Sequence, residues 1–413
     1  MSRARAAASA ALLVVAMTLA GCAADVPMPL PTPSETFAAT GDGSLRIGTL
    51  FPLVGPLAGQ GQAQAAGVEL AVREINAAGG VAEAPVEVFH RNASDAASVT
   101  AAFASLVERG VDVVVGPEST ELVQLIAADA EAAGVLIIST SIATPVAEEP
   151  TSGAPMVVGL QPAGSAQGAE LGRLLAGEGA ARVALVSIAM ETDVGLSEPL
   201  AAALDAADSR LAVATVVAPG ETDFSRLLAA VDKSRADAIL LTAPVGASAD
   251  VAAVVTRLAD AGYSGDELWF STEATVAFTG LVDPAVLEGA NGLGVGAVLP
   301  AAFVAALATS DPGLSTTALS GEAHDAVVLA ALAATVGGDD GGATIGRQLS
   351  TVSSGGIPCR SFAECLQVLT TESDVDFAGV SGALDLTGDG AVSTGSYARM
   401  VFTAEGIPVP VAE

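Results

Sequence analysis

The feature that most restricts the fold of this chain is a rhythm of short apolar runs separated by segments of helical period. "LRIGTLFPL" (45–53), "VEVFH" (86–90), "VDVVV" (111–115) and "VLIIS" (135–139) read as strands. Between them Val68, Ala71, Val72 and Ile75 share one helical face, as do Val99, Phe103, Leu106 and Val107, and a further helix is expected from about Thr120 to Ala133. Gly79-Gly80 supplies a helix stop. Strands that are apolar on both sides, with helices between them, imply a parallel sheet covered on both faces.

A stretch with Pro145, Pro150 and Pro155 interrupts the pattern, which then starts again with "RVALVS" (182–187), "LAVATVV" (211–217), "DAILLT" (237–242) and "ELWFS" (267–271). Helices are expected around Leu200, after Asp223 and around Val254. The fold class is therefore α/β, with two doubly wound parallel-sheet halves. The 413 residues agree, because single cores stop growing near ~250 to 300 residues. After "GLGVGAVLP" (292–300) come a helical run, "HDAVVLAALAATV" (324–336), a segment with two cysteines, and a hairpin around "LDLTGDGAV".

The N-terminus reads as an export signal: Arg3 and Arg5, an apolar run from Ala7 to Ala20, then "LAGC" ending at Cys22. "LAGC" resembles the lipobox of bacterial lipoproteins, which would make Cys22 the lipidated first residue of the mature protein; a plain signal peptide cut nearby is the alternative. Residues 23–44, rich in proline and small polar residues, read as a tether. Outside the cytoplasm Cys359 and Cys365, six apart, are expected to form a disulfide.

A net charge of −31 argues against nucleic acid, since phosphate contacts need clustered Lys and Arg. Only two histidines and no G-x-S-x-G elbow argue against a hydrolase. "GQG" (59–61) lacks the third glycine and the lysine of a phosphate loop, so no nucleotide cofactor is expected. "DLTGDG" (385–390) begins like a calcium loop, but Thr387 and Ser396 stand where ligands belong, and a hairpin turn is the better reading. No metal and no catalytic residue are expected.

In open parallel sheets ligands sit beyond the carboxyl ends of the strands. There the chain places "GPEST" (116–120), "STSIATP" (139–145) and "STEA" (271–274). Hydroxyls and free N–H groups at a helix start suit a carboxylate, although Ser119 or Thr120 could equally be a plain N-cap. Glu273 is either a solvated loop carboxylate or the partner of a ligand ammonium.

The blocks 47–80, 110–120 and 133–145, with "DFSRLLAAVDKSRADAILL" (223–241), "FAGVSGALDLTGDGAV" (377–392) and "CRSFAEC", resemble the leucine/isoleucine/valine-binding family of substrate-binding proteins of ABC transporters. The resemblance implies a type I periplasmic-binding-protein fold, two lobes joined by a three-segment hinge. The first lobe would hold 45–160 plus 297–376 and the second 161–296 plus 377–413. It also implies a monomeric receptor, not an enzyme, on the outer face of the cytoplasmic membrane, handing an amino acid or similar solute to a permease. A sensory module of the same fold is the alternative.

By position in the family's motifs, Thr120 with neighbouring Ser119, Ser141, the Ala143 N–H and Thr144 would take the ligand carboxylate, and Glu273 the amine. Gln60 and Thr192 stand where amino-acid-binding relatives carry tyrosines, which implies a pocket poorer in aromatics. Glu118, which would repel an anion, is expected to point away.

Overall fold

The computed structural model of the protein describes residues 39–55, 57–143, 153–188, 195–244 and 247–411. The first half is a five-stranded sheet of β1 (Arg46–Phe51), β2 (Glu87–Asn92), β3 (Val113–Val115), β4 (Leu136–Ser139) and β5 (Val157–Gly159), in the order β2-β1-β3-β4-β5. Every neighbouring pair is parallel. The helices between them are α1 (Ala58–Ala77), α2 (Ala96–Val107) and α3 (Thr120–Ala133). Ile47 and Phe51 of β1 enter a core with α1, while Leu50 of the same strand enters a second core with Val99, Phe103 and Leu106 of α2. Burial on both faces is why these strands are continuous apolar runs rather than alternating ones.

The second half contains α4 (Gly164–Gly177), β6 (Arg182–Ile188), α5 (Ser197–Ala206), β7 (Arg210–Val217), α6 (Ser225–Ser234), β8 (Ala238–Thr242), α7 (Ser248–Asp260), β9 (Leu268–Phe270), α8 (Pro284–Leu287) and β10 (Asn291–Val295). On β6, Val183 and Leu185 face one core, and Ala184, Val186 and Ile188 the other. Burying each such aliphatic side chain contributes roughly 1.5–3 kcal/mol.

The chain then returns through α9 (Ala301–Ser310), α10 (Ser320–Gly337), α11 (Gly342–Ser353), β11 (Ile357–Cys359) and α12 (Phe362–Leu369) to β12 (Val375–Gly379), β13 (Gly382–Leu386) and β14 (Val392–Gly395). It ends in β15 (Tyr397–Phe402) and β16 (Pro408–Pro410), which close the second sheet as antiparallel strands in the order β16-β15-β10-β9-β8-β6-β7. That sheet is thus parallel through β10 only. The apolar helix α10 is buried from Ser320 to Ala334 at the centre of the first core. Among the described residues no single helix is long and apolar enough to cross a membrane. Cys359 and Cys365 are disulfide-bonded and buried beside Phe377 in the same core. The segment 385–390 forms the expected hairpin turn, with Thr387 N donating to Ala391 O at 2.8 Å.

Three segments connect the two sheets: 160–163, 296–300 and the step from β14 to β15. Leu384, Leu386 and Val392 lie in the first core, so the third connection runs near 395–397, beyond the position near 377 that the sequence suggested. The connections touch one another. Gly296 N donates to Ser396 O at 2.9 Å, and Ala297 N to Ser381 O at 2.8 Å. A Cβ on Gly395 would lie 2.0 Å from Pro162, and one on Gly296, whose φ is +79°, would lie 2.7 Å from Glu322. Asp325, fully buried, ties the neighbouring turn down by accepting from Val380 N at 3.1 Å, Ser381 N at 2.7 Å and Ser381 Oγ at 2.6 Å.

Candidate functional site

Both sheets send chain into the connections from their carboxyl ends: β5 leads into 160–163 and β10 into 296–300. The loops at those ends therefore lie on the hinge side of each half.

In the first half, β3 ends in Gly116, whose φ of +94° and close approach to Leu50 O admit no side chain. The turn aims Glu118 back at α1. Its Oε2 accepts from Gln60 Nε2 at 3.1 Å and Gln64 Nε2 at 3.0 Å, and Oε1 from Thr140 Oγ1 at 3.4 Å. Its carbonyl accepts from Ser141 Oγ at 2.7 Å. Glu118 thus turns into the hydroxyl loops and not away from them, because donors on α1 and after β4 converge on it. Burial pushes its carboxyl above the ordinary range, and hydrogen bonds from Gln64, Ser141, Gln60 and Thr140 pull it part of the way back. Gln64 Nε2 also reaches Thr140 Oγ1 at 3.2 Å, while Gln64 Oε1 is buried without a hydrogen-bond partner.

Close by, at the start of α10, lies the buried Glu322. Burial pushes it up to about 7, with the charges of Asp325 and Glu118 adding to the shift.

Ser119 serves as the N-cap of α3, its Oγ accepting from Leu122 N at 3.2 Å, which is the plainer role considered for it. Thr120 is the first residue of that helix and is exposed. Ala143 is exposed and bridges to Leu160. Thr144 and Thr192 lie outside the described residues, as does Cys22.

In the second half, Gln167, in the first turn of α4, donates Nε2 to Thr272 Oγ1 at 2.8 Å and to Glu273 Oε1 at 3.5 Å. Ser271 Oγ donates to Glu273 Oε2 at 3.2 Å, and the Glu273 residue itself is exposed. Gln167 is 6% exposed and its Oε1 is buried and unpartnered. The Tyr397 hydroxyl is likewise buried without a partner; burial raises its pKa, and the charges of Glu273 and Glu170 raise it further.

The two clusters are close along the chain. Gln161 Nε2 donates to Thr140 O at 2.5 Å, and six residues later Gln167 touches Glu273. Three extended residues and three helical ones keep the Cα atoms of Gln161 and Gln167 within about 15 Å of each other. The sequence reading singled out Gln60, Ser141 and Glu273 but missed Gln64, Gln161, Gln167, Tyr397 and Glu322. Gln60 and Gln64 stand four apart on one face of α1, a spacing that could have revealed a shared target.

A family model described as periplasmic binding protein matches residues 44–353. The chain is 27% identical over 193 residues, 46% of its length, to the leucine-, isoleucine-, valine-, threonine- and alanine-binding protein of Pseudomonas aeruginosa, and spans about half (51%) of that relative. Among solved structures, it resembles a branched-chain amino acid transporter substrate-binding protein of Streptococcus pneumoniae in complex with isoleucine, with a TM-score of 0.61 and 21% identity, over 89% of this chain and 100% of that one. A solute-binding protein of R. palustris in complex with 4-hydroxybenzoate is similar at TM-score 0.61 and 17% identity, over 90% and 96%. Likenesses at this level of identity carry the fold alone.

Proposed function

The chain belongs to the periplasmic binding protein family, and on that premise we propose that it is an extracytoplasmic solute receptor, anchored through lipid on Cys22, that passes an amino acid or similar small polar solute to the permease of an ABC transporter. The observation that carries this reading is the pair of polar clusters at the carboxyl ends of the two sheets, tied together by the seven residues from Gln161 to Gln167. Glu273 is the partner of the solute's amine in this reading. Thr120, the Ser141 loop with the Ala143 N–H and Thr144, Gln60 and Thr192 complete the contacts. The lobe borders fall at 160–163, 296–300 and 395–397.

No catalysis is needed. Contacts made only in the closed form shift an existing equilibrium between open and closed forms. Micromolar affinity requires only about −8 kcal/mol, within reach of one charge-assisted pair, several hydrogen bonds and modest apolar burial. A thermal-shift screen of the full chain against amino acids, amides, urea and short carboxylic acids tests the proposal, and at least one should raise the Tm. Glu273→Gln should weaken an amine-bearing solute about tenfold while sparing an acid without the amine. Equal losses would remove Glu273 from that role, and a screen without any stabilising solute would remove the receptor reading.

A further inference from the structure

Among the described residues, several donors at the mouth of the first lobe are already engaged within the protein. The amide nitrogens of Gln60 and Gln64 and the hydroxyl of Thr140 point at the Glu118 carboxylate, Ser141 Oγ is held by the Glu118 carbonyl, and Ser119 Oγ caps α3. Two of the hydroxyls that the sequence suggested for a ligand carboxylate, Ser119 and Ser141, thus have partners within the protein.

Among the described residues, each of the two glutamine–glutamate pairs keeps a buried acceptor without a partner. On the first lobe, Gln64 is fully buried; its Nε2 binds Glu118 and Thr140, so Oε1, on the same amide carbon, lies at that cluster without a partner. Glu118 Oε1 accepts from Thr140 Oγ1 at 3.4 Å, and a carboxylate oxygen can accept more than one hydrogen bond. The second lobe repeats the device. Gln167, 6% exposed, donates Nε2 to Thr272 and Glu273 and leaves Oε1 unpartnered. Among the described residues no Lys, Arg or His pairs with Glu118 or Glu273, whereas Glu322 adds a third acid near the first cluster.

A ligand whose N–H groups reach both pairs would give the two glutamates their counter-charge and the two glutamine oxygens their missing donors. Buried acceptors without partners discriminate strongly in favour of a ligand that brings the missing donors. We propose that the solute is a small organic cation with N–H donors at both ends, such as an amine-terminated guanidine or a diamine, clamped between the Gln64–Glu118 and Gln167–Glu273 pairs.

This inference rests on the receptor reading and narrows its solute. Isothermal titration of the full chain with agmatine, leucine and choline tests it. Agmatine should bind, and Glu118→Gln and Glu273→Gln should each weaken it at least tenfold, with circular dichroism confirming that both variants fold. Choline, a cation without N–H donors, should bind at least tenfold more weakly than agmatine. Leucine binding without agmatine binding would overturn the inference and leave the receptor reading standing. Agmatine affinity unchanged in both variants, or choline binding as tightly, would overturn it as well.

Discussion

The two lobes present the same pair of groups, a glutamate held by a buried glutamine, but in different surroundings. Glu118 is half-buried and gathers donors from α1 and from the loop after β4, and Glu322 lies near enough for its charge to be felt. Glu273 is exposed and held by Ser271 and Gln167. The first cluster is organised before any ligand arrives and bears the cost of acids stripped of water. The second keeps its carboxylate in contact with solvent. Preorganisation on one side and solvent contact on the other suit a clamp that must both recognise and release.

The comparison is broken most directly at Glu322. Its folded pKa, raised from 4.5 to about 7 by burial, lies above its unfolded value, so the folded state holds the proton more tightly. Stability from this group is present below the unfolded pKa and is lost as pH rises from about 4.5 to 7. The span amounts to about 3 kcal/mol. Glu322→Gln should therefore raise stability at pH 8 and flatten the decline across that window in urea titrations. Glu273→Gln should change stability by less than about 0.5 kcal/mol. A wild type equally stable at pH 5 and pH 8, with Glu322→Gln unchanged, would remove the asymmetry.

Gln64→Leu sharpens the contrast further. It strips Glu118 and Thr140 of a buried donor and should cost about 2 kcal/mol, whereas Gln167→Leu, facing an exposed carboxylate, should cost about 1 kcal/mol or less. Similar losses in chemical denaturation would mean that the two clusters are equivalent. The smallest effect is expected at Ser119. Ser119→Ala should cost about 1 kcal/mol through the lost cap and leave solute affinity unchanged, while Thr120→Ala weakens binding several-fold.

Particular residues show what the sequence made legible. Val113–Val115 and Leu136–Ile138 could hardly be anything but strands buried on both faces, and their helices followed from period alone. β5, three residues in a proline-rich stretch, gave no such signal. The third connection was placed too early because Leu384 and Leu386 have the same apolar character whichever core receives them. The place of Glu273 just beyond a strand end was legible. The direction of Glu118 was not, because its rotamer is set by Gln60 and Gln64, more than fifty residues away in sequence. Gln161 and Gln167 were missed for a related reason: a polar residue in a connecting segment acquires meaning only when the folded chain shows what it meets.

The stretch from Gln161 to Gln167 also acts as a ruler. One end is fastened to the loop after β4 and the other to the loop after β9, so on the receptor reading proposed above the jaws could not part widely beside their pivot without tearing one of those fastenings. On the proposed receptor reading, cargo seated there would be of metabolite dimensions, and a folded domain or a long peptide would find no berth so close to the axle.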